Sequence, residues 1–386
     1  MMVWPRPGGE TARDARIGAN PAVIREARVH GTRFALRGPM HVAVVGATGN
    51  VGTSVLRALA LDPEVKRIKG LARRLPRAHF DKAEFHAVDI ARDALAPLFR
   101  GVDAVIHLGW QIQSAHQPAQ LERTNVCGSQ RVFEAVAEAR VPTLLYASSI
   151  GAYSKGPKDQ TVDESWPRHG IATSLYSRQK ATVEQTLDVF EARHPEVRCV
   201  RMRPALIFKR DASTEIRRLF LAPWWPRSLF KPSRIKLVPY HPRLRFQAVH
   251  SFDVGEAFRL ALQRDVRGAF NLASEQVLTS AVLAAAFGAR QVATSQQFLR
   301  SAAALSWQMR LQHSDPGWVD LGLDSPLIDC SRARTELGWN PTRTSLEVLR
   351  ELLQGIYDGA GISTPPLAPP FRVSQSTDFD APRAAQ

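Results

Sequence analysis

From Met40 onward the chain alternates short, nearly continuous apolar runs with longer stretches in which apolar residues return every three or four positions. The runs at 41–45, 67–72, 84–88, 103–108, 143–147 and 197–202 have the length and content of strands buried on both faces. The stretches near 50–61, 92–99, 119–139 and 174–193 have the period of helices with one face turned inward. Regular alternation of the two predicts an α/β fold, a doubly wound parallel sheet of the Rossmann kind with helices on both faces. Ligands bind such a sheet beyond the carboxyl ends of its strands.

This pattern sets the expected domain limits. Residues 40–204 read as the doubly wound Rossmann domain. After Arg203-Pro204 come loops, aromatics and prolines and then shorter helices, one near 253–263, so 205–358 read as a smaller substrate-binding lobe with some segments returning to the sheet. Residues 359–386, with Pro365-Pro366 and Pro369-Pro370, read as a disordered tail. Residues 1–39 are rich in Arg, Gly and Pro without a sustained period, which fits a disordered extension or a mis-assigned start better than a transit peptide.

Composition narrows the setting. A chain of 386 residues, 44% of them hydrophobic, can bury an enzyme-sized core. Cys127, Cys199 and Cys330 are odd in number and far apart, so neither disulfides nor a zinc site is expected, and a cytoplasmic location fits. No run is long enough to span a membrane. The net charge of +15 would attract any polyanion, yet no nucleic-acid-binding motif accompanies it.

Chemistry first shows in Gly46-Ala47-Thr48-Gly49-Asn50-Val51-Gly52, which follows the first strand and opens a helix. Glycines there permit a tight turn and close approach of backbone to a pyrophosphate, and the helix N-terminus offers unpaired N–H groups. After the second strand stand Arg73 and Arg74, where an NAD enzyme usually has an acid for the ribose hydroxyls. Arginine suits a 2′-phosphate, so NADP is expected ahead of NAD, although the pair also reads as surface charge. Asp89 and Ile90, after the third strand, are candidates for holding adenine, and Asp89 also reads as a cap.

Tyr176 and Lys180 are four apart on a predicted helix and should share a face, where an ammonium would lower the phenol pKa. Ser148 and Ser149 end a strand at the edge where ligands bind, and a serine hydroxyl there can orient a reacting alcohol or carbonyl.

In these motifs the chain resembles the extended short-chain dehydrogenase/reductases, the NAD-dependent epimerase/dehydratase family. The likeness runs from Met40 to about Ile356 and takes in Asp103 to Leu108, Asn125 to Gly128, Arg203-Pro204, Val249 to Val254, Gly268 to Leu272 and Leu337 to Pro341. The resemblance implies Tyr176 as general acid/base, Lys180 on the nicotinamide ribose, and Ser149 orienting the substrate oxygen. Tyr153 is then a substrate-side residue. It implies an NAD or NADP site formed by Gly46, Thr48, Gly49, Asn50, Val51, Gly52, Arg73, Arg74, Asp89, Ile90, Leu108, Tyr176, Lys180 and Arg203, with no metal. Gly109-Trp110 departs from the family's two small residues, and Tyr153-Ser154 lacks its usual glycine.

Between Lys209 and Arg245 eight further cations face only Asp211 and Glu215, among Phe220, Leu221, Trp224, Trp225 and Phe230. This suits an anionic small-molecule substrate such as a nucleotide sugar, a peripheral membrane contact, or a lid whose aromatics close over the site. The expected activity is oxidation of a secondary alcohol or reduction of a ketone, in a chain compatible with a homodimer. A non-catalytic NAD(P)-sensing protein is the alternative, against which the full Ser, Tyr, Lys set argues.

Overall fold

The computed structural model describes residues 39–112, 116–221, 225–309 and 314–369. The expected N-terminal extension up to residue 38, Trp224 and the chain beyond residue 369 lie outside the described residues. Seven strands form one parallel sheet: β1 Met40–Val45, β2 Val65–Ala72, β3 Ala83–Ala87, β4 Ala104–His107, β5 Thr143–Ala147, β6 Arg198–Pro204 and β7 Gly268–Leu272. Their order is β7-β6-β5-β4-β1-β2-β3, so chain direction across the sheet reverses between β1 and β4. The doubly wound α/β expectation holds.

Helices α1 Asn50–Leu61, α2 Gly128–Glu138, α3 Leu175–Arg193, α4 Ser251–Gln263 and α5 Ser345–Asp358 follow as the long elements. Alternate residues of a strand point to opposite faces, and β1 divides accordingly. Val42 and Val44 enter a core shared with Val55, Leu56 and Leu59 of α1 and Val254 and Phe258 of α4. Ala43 and Val45 enter a second core with Phe133 of α2 and Val183 and Leu187 of α3. Burial on both sides explains why the strands read as continuous apolar runs. The C-terminal part is tied on through Asp253, whose carboxylate accepts from the Thr342 N–H at 3.1 Å and hydroxyl at 2.7 Å. No described helix is long and apolar enough to cross a membrane.

Three local expectations need correction. The helix near 92–99 is only Ala96–Phe99, because Asp89 and Asp93 use their carboxylates on nearby N–H groups and hold a turn instead. The helix over 119–139 is interrupted at Arg123–Cys127 by a π-helical turn. The seventh strand, β7, was not among the strand candidates, because its five residues begin at a glycine with φ of 82° and carry Asn271.

The segment expected as the start of a disordered tail is packed as far as residue 369. The Arg77 and Ala78 N–H groups donate to the Ser363 carbonyl at 2.9 and 3.0 Å, and Leu367 is completely buried. Truncating such a side chain leaves a cavity, and Leu367→Ala should cost about 2–5 kcal/mol in urea unfolding. A change within about 0.5 kcal/mol, the range of ordinary surface substitutions, would show that the segment contributes no packing.

Candidate active site

At the reversal point between β1 and β4 a cavity of 280 Å³ opens beyond the strand ends. Its floor is the turn after β1, with Gly46, Thr48 and Gly49, and one wall is Arg73 and Arg74 after β2. Val88, Ile90 and Leu108 supply an apolar side. The glycines divide the work. A Cβ on Gly52 would lie 2.3 Å from the Gly46 carbonyl oxygen, so this glycine lets α1 pack on the turn. A Cβ on Gly49 would meet only that oxygen, at 3.6 Å, and would project into the cradle a pyrophosphate would fill. With α1 starting here, its free N–H groups point at that space. The adenosine and pyrophosphate half of a dinucleotide therefore fits the residues present.

Not every expected cofactor residue lies in this cavity. Asp89 lies between the lining residues Val88 and Ile90 and closes a turn, its carboxylate accepting from the Ala91 N–H at 3.0 Å. Asn50 donates to the Ile207 carbonyl at 3.1 Å, and Val51 packs on the core. Arg203 is buried well inside, with bonds to Glu184, the Tyr153 hydroxyl and the Glu164 carbonyl, and does not line the cavity. The resemblance assigns it to the cofactor, but the buried carboxylate of Glu184 claims it.

Tyr176 lies in the first turn of α3, which Ser174 caps by accepting from the Ser177 N–H. The Tyr176 ring packs at the end of β5 beside Ser149, whose hydroxyl draws the phenol pKa down. Gly151 permits this, since a Cβ there would stand 2.8 Å from Cε1 of Tyr176. The neighbouring Ser148 donates to Glu184 at 2.5 Å and is thereby withdrawn, which favours Ser149 as the substrate-facing hydroxyl. Burial raises the Tyr176 pKa, and the Ser149 hydroxyl only partly offsets it.

Lys180 departs from expectation. Its ammonium donates to the Ala147 carbonyl at 2.8 Å and sits 3.6 Å above the ring of Trp110. Burial brings its pKa down to about 7 against the pull of Glu184. The Tyr176 phenol is therefore not held low by Lys180 in this state; the lysine's charge is spent on an indole. The same indole meets Tyr176 edge-on at 5.9 Å, and its Nε1 is buried with no partner among the described residues. Trp110 thus occupies the end of the cavity nearest the reacting groups.

Glu184 is fully buried and accepts from Arg203 at 2.8 Å through two nitrogens, with Arg201 at 3.2 Å and Arg168 at 3.1 Å. Burial alone would raise its pKa, but Arg203 and Arg201 overcome this and hold it at about 2. Tyr153 belongs to the same interior. It is completely buried and donates to Asn271 at 2.6 Å, because the turn Ile150–Ala152 carries it under the sheet. It is a structural residue, not a substrate-side one.

The structure adds residues that the motifs did not reveal. Helix 213–220 brings Glu215, Arg218 and Leu219 to the cavity, and Pro365 and Pro366 complete its wall. Burial pushes the Glu215 carboxyl up to about 7 despite Arg218 and Lys209. Phe220 stacks edge-on against Trp318 at 4.8 Å, and Trp318 covers Tyr176 at 4.9 Å. Through Trp318, this part of the basic, aromatic insert packs onto Tyr176. Asn125, in the π-helical turn, binds both backbone groups of Gln111, accepting at 2.8 Å and donating at 2.9 Å. No cluster of metal-ligating side chains occurs among the described residues.

Known proteins bear on this arrangement. An uncharacterised protein of Mycobacterium tuberculosis is 26% identical over 346 residues, covering 89% of this chain, which spans 33% of that protein's length. The fold is similar to that of a dTDP-glucose 4,6-dehydratase of Streptomyces venezuelae solved with NAD (18% identity, TM-score 0.59, 83% of this chain and 97% of that one). A UDP-glucose 4-epimerase of Thermotoga maritima, solved with UDP-glucose, is alike to the same degree (18% identity, TM-score 0.60, 83% and 99%). The family model for NAD dependent epimerases and dehydratases matches residues 42–273, more than half of the chain and the stretch that holds the glycine turn, Ser149, Tyr176 and Lys180. The protein belongs to the NAD dependent epimerase/dehydratase family.

Proposed function

We propose that the protein is an NAD(P)-dependent oxidoreductase that interconverts a secondary alcohol and a ketone, with Tyr176 handling the proton. The observation that carries this reading is the Ser149 and Tyr176 pair at the end of β5, beside the glycine-turn cavity. When bound, the nicotinamide supplies or accepts the hydride. Ser149 orients the substrate oxygen toward the phenol, and the aromatic lid of Trp318 and Phe220 excludes water from it. A nucleotide sugar is the substrate class to test first, since solved proteins of this fold carry one and Arg218 brings a cation to the cavity.

Because its pKa is raised, the phenol keeps its proton at neutral pH and is set to act as an acid toward a ketone. Loss of the phenol proton should then not slow ketone reduction below about pH 8, while alcohol oxidation should rise with pH, since the base form must first be generated. Tyr176→Phe should lower turnover by a factor of about 100 to 10,000 and leave cofactor affinity nearly unchanged. Undiminished turnover in that variant would sink the mechanism and favour a cofactor-sensing protein.

Arg73 and Arg74, both exposed at the cavity wall, support NADP as the cofactor. Fluorescence titration should give tighter binding of NADPH than of NADH. Arg73→Ala/Arg74→Ala should lose about tenfold or more for NADPH alone, the size of a lost charge-assisted hydrogen bond. Preference of the unmodified protein for NADH would reduce the pair to surface charge.

For Lys180 to reach a ribose hydroxyl, the Trp110 indole has to leave the ammonium. A desolvated cation–π contact is worth about 2 kcal/mol, so Trp110→Ala should tighten cofactor binding by up to about 30-fold. Indole fluorescence should also change on titration of the unmodified protein and change less in the variant. Equal affinities would mean that the indole does not compete for Lys180.

A further inference from the structure

We infer that the outward face formed by the strand pair 237–240 and 290–293 and by the helix Gln296–Gln308 docks on an anionic lipid surface. Surface helices ordinarily turn their apolar stripe toward the core. None of the residues of this helix is buried. Phe298, Ala302, Leu305 and Met309 recur at helical spacing and all face solvent, with Phe298 66% and Leu305 59% exposed. Two residues, Thr294 and Ser295, separate the helix from the strand that ends at Ala293. That strand pairs in parallel with Leu237–Tyr240, so that Leu237 lies beside Arg290 and Pro239 beside Val292. Val238 points inward and is buried, which turns Leu237, Pro239, Arg290 and Val292 outward together.

Charge identifies the occupant. From 216 to 252 the chain carries Arg217, Arg218, Arg227, Lys231, Arg234, Lys236, Arg243 and Arg245 and no acidic residue. From 276 to 314 it carries Arg290, Arg300 and Arg310, again with no acid. Arg234, Lys236 and Arg290 are exposed and have no acidic partner among the described residues, and the Arg290 N–H donates to the Lys236 carbonyl at 2.8 Å, which holds these two side by side. Exposed apolar side chains flanked by unpaired cations match an anionic bilayer, where acyl chains take the former and headgroups the latter. A second copy would bring like charges together. The face lies close to the chemistry: Arg300 on this helix pairs with Asp320, two residues beyond the Trp318 that covers Tyr176.

The test is flotation of the full chain with vesicles of phosphatidylcholine alone or of equal parts phosphatidylcholine and phosphatidylglycerol. Binding to the anionic vesicles only is expected, weakened by salt. Lys236→Glu/Arg290→Glu and Phe298→Glu/Leu305→Glu should each reduce it about tenfold or more, with thermal unfolding and NADPH binding unchanged. Absence of binding would overturn the proposal. So would equal binding by both variants, which would assign it to cations elsewhere, or a concentration-dependent dimer that Phe298→Glu abolishes, which would assign the face to a second copy.

Discussion

The Glu184 carboxylate lies one helical turn beyond Lys180 with no exposure to water, and an ion there persists only if other groups replace its hydration. Arg203 and Arg201 come from β6, Arg168 from the loop before α3, and the Ser148 hydroxyl from the end of β5. All converge on one side chain of α3. The geometry of the candidate site follows from this: the helix is fixed against two strand ends, Ser148 is consumed, Ser149 is left to meet Tyr176, and Lys180 keeps a nearby negative charge in an otherwise desolvating interior. A buried pair of this kind adds little net stability over apolar packing, but removing one partner strands the other, at about 3–5 kcal/mol. Its contribution is register.

Much of the architecture was legible because it rests on local pattern. Central strands buried on both faces have to be apolar throughout, and the helices between them have to be apolar on one side, so the inner strands and the main helices up to α4 could be read from residue order, with the edge strand β3 read from its place in the alternation. The glycine turn was legible because backbone approach tolerates no side chain there. Residues whose roles depend on partners distant in sequence were not. Arg203 and Tyr153 have motif-like positions, yet Glu184 and Asn271 draw them inward. Lys180 shares a helix face with Tyr176, but the indole from residue 110 takes its charge. Pro365 and Pro366 read as an open tail because their composition lacks apolar period; it is Leu367 beside them that anchors the segment and places them in the cavity wall.

The cavity therefore has walls contributed by segments more than 300 residues apart, from Gly46 to Pro366. The turn after β1 is rigid, since α1 packs on it and Lys209, itself buried, donates to the Asn50 carbonyl at 2.8 Å. The opposite wall is made of short pieces, helix 213–220 and the segment near 365, held together by bonds such as that from Thr214 to the Ala360 carbonyl at 2.7 Å. A ligand that needs a fixed cradle for its phosphates and an adjustable cover for its remainder suits this division.

Trp110 stands where those two halves meet, and the structure limits how it can move. The backbone of its neighbour Gln111 is clamped on both polar groups by Asn125, and Gly109 is wedged so closely beside the turn that a Cβ on Gly46 would meet its nitrogen at 2.8 Å. The loop cannot swing as a unit without breaking these contacts. The indole itself has no hydrogen bond to lose, since Nε1 has no partner among the described residues, and it is held by the Lys180 ammonium, the Tyr176 ring and packing on the second core. On the proposed reading, the indole would clear the nicotinamide end by side-chain rotation about a fixed backbone. Such a rotation can keep pace with ligand entry, and it needs no rearrangement of the sheet, of α3 or of the Glu184 network on which Tyr176 depends.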